Sequence, residues 1–128
     1  MQYISDEEYK IISRYLFLSL AIKTLQGDLM KIHNEQVFRI SDPYIRLLES
    51  AIEMAKEERQ VLKITMRDHG LKVERSGQRR DFTVYTYFVN NKEEKRSYYN
   101  PAIRKKVLTI IEDLFESVDL KGKRPTEV

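Results

Sequence analysis

Apolar and polar positions alternate along this chain with three successive rhythms. Ser5-Asp6-Glu7-Glu8 has the form of a capping box, a serine with a glutamate three residues on, and predicts a helix starting at Asp6. Beyond it, Ile11, Tyr15, Leu18, Ile22, Leu25, Leu29 and Ile32 recur at alternating spacings of four and three. Leu16, Phe17 and Leu20 widen this stripe almost around the helix, and a helix apolar on nearly all sides is buried on nearly all sides. Such a helix is either the centre of the domain or part of a subunit interface. Gly27 costs it about 1 kcal/mol relative to alanine and marks a place for a bend or break.

A connection over residues 33–42 contains Val37, Phe38 and Ile40. Ser41-Asp42-Pro43 then reads as a cap with proline in the first turn. The second helix carries Ile45, Leu48, Ile52 and Ala55 on one side and Arg46, Glu49, Glu53, Lys56 and Glu57 on the other. Near Gln60 the rhythm shortens to two. Leu62, Ile64 and Met66 alternate with Lys63, Thr65 and Arg67, the pattern of a half-buried strand. Asp68-His69-Gly70 is a tight turn, Leu71 to Arg75 a second strand, and residues 76–80 a polar loop. Asp81 to Val89, rich in Phe, Thr, Val and Tyr, is the strongest strand signal. Asn90-Asn91 turns the chain into a fourth strand, Lys95 to Tyr99. Asn100-Pro101 opens a last helix with Ile103, Val107, Ile110, Ile111, Leu114 and Val118 at helical spacing, ending by Lys121-Gly122.

The expected order is therefore α-α-β-β-β-β-α. Short turns between successive strands imply an antiparallel four-stranded meander packed against helices, a two-layer α+β domain over residues 1–122 with a flexible tail at 123–128. A chain of 128 residues fits one such domain. The N-terminus lacks the cationic and apolar regions of a secretory signal. The greasiest run, Tyr15 to Ile22, is far short of the roughly 20 residues that span a bilayer. A cytoplasmic protein without membrane contact is expected.

Composition removes several kinds of chemistry. With no cysteine there is no disulfide, thiolate nucleophile or cysteine-bound metal. Four scattered glycines form no phosphate-cradling loop. His33 and His69 lack partners at metal-ligand spacing. Ser76-Gly77 has no strand-to-helix elbow, and Glu7-Glu8, Glu57-Glu58 and Glu93-Glu94 are neighbours at element ends. No catalytic residue, metal or cofactor is expected.

Charge adds the feature with most to explain. The net +3 divides into −3 for residues 1–58 (7 Lys/Arg, 10 Asp/Glu), +8 for residues 59–106 (13 and 5) and −2 for residues 107–128 (3 and 5). If Phe82, Val84 and Phe88 face the core, the other sheet face presents Lys63, Arg67, Lys72, Tyr85, Tyr87 and Arg96, extended by Arg75, Arg79 and Arg80. Cations among aromatic rings on an open sheet suit nucleic acid, the rings stacking on bases and the cations holding phosphates. An ordinary solvated sheet accounts for the same residues, because tyrosine favours strands and cationic side chains deter edge aggregation. Arg104, Lys105 and Lys106 stand in the first turns of the last helix, opposed by its dipole, which points to an anionic partner. A helix-turn-helix reader fits poorly, since the connection is long and the second helix is acidic outside.

Two functions follow. The first is a small, non-catalytic accessory or regulatory protein that binds an anionic partner, nucleic acid before acidic protein, through the basic sheet. The second is a self-associating adaptor whose homodimer seam is Tyr15, Leu18, Ile22, Leu25 and Leu29 on the first helix.

Overall fold

The computed structural model describes residues 4–35 and 42–122. Helix α1 (Asp6–Glu35) begins as the capping box requires. The Ser5 backbone N–H donates to Glu8 Oε1 at 3.0 Å, and the Glu8 N–H donates to Ser5 Oγ at 3.1 Å. The helix passes through Gly27 unbroken, where a side chain would meet open space.

Helix α2 (Asp42–Asp68) is much longer than the sequence pattern implies, and the expected first strand, Val61 to Arg67, is its last two turns. The alternation there also fits a helical phase. Leu48, Ala51, Ile52, Ala55 and Met66 are buried and Leu62 packs against the core, while Val61 and Ile64 are 64% and 40% exposed. No glycine or proline lies between Pro43 and Gly70, so nothing stops the helix earlier. It ends where Gly70 takes a positive φ of 67°, its N–H reaching the Arg67 carbonyl at 3.3 Å.

Three strands follow instead of four: β1 (Leu71–Arg79), β2 (Phe82–Val89) and β3 (Lys92–Tyr99), antiparallel in the order β1-β2-β3. The expected polar loop at 76–80 is mostly strand. A bulge between Arg75 and Gly77 absorbs the irregularity, and the reversal comes at Arg80, with φ 53°. Asn90 turns the second hairpin with φ 57°. Helix α3 (Asn100–Gly122) starts at the expected asparagine. The Asn100 N–H donates to the Asp81 carbonyl at 2.7 Å, and Thr83 Oγ1 donates to Asn100 Oδ1 at 2.6 Å, tying the helix start to the sheet.

The order is thus α-α-β-β-β-α, an α+β arrangement. Helix α1 is the central element, packed against α2, α3 and β1. Leu18, Ile22 and Leu25 are 0–2% exposed, and Tyr15 and Leu29 are half-buried against the same core. Three of the five residues expected at a homodimer seam are therefore interior residues of this chain. Two helices and a sheet edge cover the Leu18, Ile22 and Leu25 part of the apolar surface of α1, while Tyr15 and Leu29 stay partly exposed.

The sheet also turns its other face inward. Thr83, Tyr85, Tyr87 and Val89 are buried at 0–8% exposure, whereas in the other row Phe82 is 43% exposed, Val84 and Phe88 are half-buried and Thr86 alone is buried. The two rows of β2 are nearly equal in apolarity: Thr86 shares the phenylalanine row and Val89 the tyrosine row. On the inward row the Thr83 and Tyr87 hydroxyls find partners, which removes most of the cost of burying them, and Thr86, the buried residue of the outer row, donates to Ser76 Oγ at 2.9 Å. Among the described residues, no helix is long and apolar enough to cross a membrane. The connection with Val37, Phe38 and Ile40, the cap at Ser41 and the tail at 123–128 lie outside the described residues.

Candidate anion-binding surfaces

The cations expected on one strip are dispersed by the fold. Lys63 and Arg67 are exposed on α2, and Arg67 faces Asp68 at 3.6 Å. Lys72 lies on the outer sheet face, 2.7 Å from Glu74 and 5.8 Å from the centre of the Phe88 ring. Arg75 is cross-strand partner to Tyr85 and so belongs to the inner face, at its edge, where it donates to Gln78 Oε1 at 2.6 Å. Tyr85 and Tyr87 are buried and form no external stacking platform.

Arg96 is drawn into the core region. Its guanidinium sits 4.2 Å above the Tyr9 ring and 5.7 Å from the Tyr87 ring, and it pairs with Glu94 at 2.8 Å. Its Nε is buried without a hydrogen-bond partner. Beneath it lies a tyrosine cluster. Tyr87 and Tyr98 hydroxyls are 2.6 Å apart, Tyr98 and Tyr9 hydroxyls 3.4 Å, and the Tyr9 and Tyr87 rings stack at 5.7 Å. Burial pushes the Tyr98 phenol well above its ordinary range, and the bonds from Tyr87 and Tyr9 act in the same direction. Burial also raises Tyr87 and Tyr85, with the Arg75 charge opposing it at Tyr85.

The hairpin end of the outer face does combine cations with rings. Phe82 and Tyr99, cross-strand partners and 43% and 49% exposed, hold their rings 5.4 Å apart at 47°. A concavity of about 570 Å³ opens beside them, lined by Arg79, Arg80, Asp81, Phe82 and Ser97. Neither arginine has an ion pair among the described residues. The sequence singles out Arg79 and Arg80, whereas its alternation puts Phe82 in the core and does not mark Tyr99.

The cations of α3 divide between two grooves. Lys105 and Lys106 line one against α1, about 540 Å³ in volume, together with Lys10 and Arg14. Lys106 stands 5.1 Å from the centre of the Phe17 ring. Arg14 is already engaged, its Nε and Nη2 donating to the Glu58 carboxylate at 2.6 and 2.9 Å, a bidentate bond that raises its pKa. Arg104 lines the other groove, with Arg75 and Tyr85. His69 caps α2, with Nδ1 2.8 Å from the Thr65 carbonyl oxygen. Among the described residues, no cluster of three or more His, Asp or Glu is placed to hold a metal ion.

The chain is 28% identical over 111 residues to the uncharacterized protein YhjD of Bacillus subtilis (strain 168), a match covering 87% of this chain and 92% of that protein. No solved structure matches it significantly. The family model described as YhjD protein matches residues 3–119, and the chain therefore belongs to the YhjD protein family.

Proposed function

We propose that this protein is a non-catalytic accessory protein that binds an anionic partner, single-stranded nucleic acid first among the candidates, through the hairpin end of its outer sheet face. The observation that carries this reading is the exposed Phe82–Tyr99 pair beside Arg79 and Arg80, neither of which forms an ion pair among the described residues, although Asp81 shares their concavity. Aromatic faces accept unstacked bases of any sequence, and guanidinium forks hold phosphates in two-point contact. The expected roles of Tyr85 and Tyr87 pass to Phe82 and Tyr99, which the inverted sheet leaves outside.

Fluorescence anisotropy with labelled single-stranded DNA and RNA tests this. Binding is expected at low salt, with log K falling against log salt by about 0.7 for each phosphate engaged. Phe82→Ala and Tyr99→Ala should each weaken binding by about 1–3 kcal/mol. Arg79→Gln with Arg80→Gln should lower both affinity and salt slope. Absence of binding at low salt, or binding indifferent to all four substitutions, overturns the proposal.

A further inference from the structure

A groove of about 880 Å³ lies between the second half of α1, the inner edge of the sheet and α3. Its volume is within the roughly 300–1,000 Å³ usual for small-molecule sites. Its floor is apolar, formed by Leu25, Ile103, Val107, Ile111 and Phe115, and Leu108 stands at its rim 54% exposed. Three cations line it from three different elements: Lys23 on α1, Arg75 on β1 and Arg104 on α3. Asp28 is the one carboxylate in its lining, and none of these four charges has an ion pair among the described residues.

Tyr85 supplies an independent sign. Its ring is buried, with 7% of the residue exposed, while its hydroxyl opens on this groove and has no hydrogen-bond partner among the described residues. The neighbouring Tyr87 and Tyr98 hydroxyls satisfy each other. A tyrosine placed this way turns its apolar ring to the core and leaves its hydroxyl free to bond whatever enters the groove. Thr83 and Asn100, also in the lining, are already bonded to each other and do not serve.

We propose that this groove binds a single-chain amphiphilic anion. The carboxylate or phosphate head accepts from the Tyr85 hydroxyl and the Arg75 and Arg104 guanidiniums, and the acyl tail lies along the apolar side chains of α3. The charge excess selects an anionic head, and the exposed leucine beside half-buried Ile111 and Phe115 accounts for the tail. This site is separate from the hairpin surface, and neither proposal depends on the other.

The test is titration of the full chain with dodecanoate, dodecyl phosphate and dodecyltrimethylammonium below their micelle concentrations, followed by calorimetry and amide chemical shifts. Saturable binding of either anion, with shifts at Tyr85, Arg104, Val107 and Leu108, is expected, and the tighter of the two identifies the head group. Tyr85→Phe and Arg75→Gln with Arg104→Gln should each lower affinity about tenfold or more, as expected for losing a hydrogen bond to a charged group. Oligonucleotide binding should be unchanged in the same variants. No saturable binding of either anion, equal binding of the cationic amphiphile, or wild-type affinity in folded Tyr85→Phe and the double arginine variant would overturn the proposal.

Discussion

The hydroxyls of Tyr87 and Tyr98 lie 2.6 Å apart on the inner face of the sheet, with Tyr87 fully buried. This bond joins β2 to β3 under α1, and the Phe17 ring packs edge-on against Tyr98 at 5.3 Å. Tyr98→Phe keeps the ring and removes the hydroxyl that meets both Tyr87 and Tyr9. A destabilisation of about 1–3 kcal/mol is expected, because a buried polar group loses its partner. Urea unfolding monitored by circular dichroism measures it, and an unchanged midpoint would show that the hydroxyl network contributes nothing.

Stability should fall at alkaline pH because of Tyr85 and the same cluster. Tyr85, Tyr87 and Tyr98 all have folded-state pKa values above the unfolded value of about 10. A group raised on folding contributes its stability below the unfolded pKa and loses it as pH rises through the folded pKa. Thermal unfolding should therefore show stability declining above about pH 10. The decline should be shallower in Tyr87→Phe with Tyr98→Phe, which removes two of the titrating phenols.

Gly70 is held at φ 67°, and a Cβ built there would overlap the Asn90 side-chain oxygen. Gly70→Ala should cost about 1–2 kcal/mol for the left-handed backbone alone, with the overlap adding to it. Asn90→Gly removes the obstructing side chain and suits its own φ of 57°. In that background the cost of Gly70→Ala should fall toward the backbone contribution. Equal costs in both backgrounds would show that the overlap is relieved freely.

Val61 distinguishes a helix from a strand at the end of α2. It is 64% exposed, so packing contributes little. In a helix, Val61→Ala gains about 0.5 kcal/mol from intrinsic propensity, whereas in a strand the loss of a β-branched residue would destabilise. A raised unfolding midpoint with unchanged helical circular dichroism is the expected outcome.

Arg14 and Glu58 join α1 to α2 through two hydrogen bonds, with each side chain 40% exposed. Solvent screens a pair this open. A double-mutant cycle with Arg14→Met and Glu58→Gln should give a coupling of about 0.5–1 kcal/mol. That coupling should shrink as salt is added. Coupling that is independent of salt would mean that packing, not charge, dominates.

Local chemistry makes much of the architecture legible in the sequence. The Ser5/Glu8 box and the turns at Gly70 and Asn90 rest on bonds or dihedrals within a few residues, and each is where the sequence places it, as is the start at Asn100, which bonds to the distant Asp81 and Thr83. The burial of α1 is legible as well, because an all-round apolar helix has to be covered, although its pattern allows either a domain centre or a subunit interface. Val61 to Arg67 is ambiguous, because a short apolar alternation satisfies both periods, and the absence of a helix breaker is a weaker signal than alternation.

Which face of β2 is inside is settled by packing between distant elements. Thr83, Tyr85, Tyr87 and Val89 compete with Phe82, Val84, Thr86 and Phe88 on nearly equal terms of apolarity. The inward row meets groups from distant parts of the chain: Tyr9 and Tyr87 are both within reach of Tyr98, although Tyr9 is 89 residues away from it in sequence. Charge composition by itself established an excess of cations between residues 59 and 106. It could not group them, because grouping depends on the sheet face and on helix α2 extending to Asp68. Once those are set, Arg79 and Arg80 stand beside exposed rings, and Arg75 and Arg104 line the groove that holds the unpartnered Tyr85 hydroxyl. Periodicity is a property of the chain, whereas proximity between distant side chains exists only after packing.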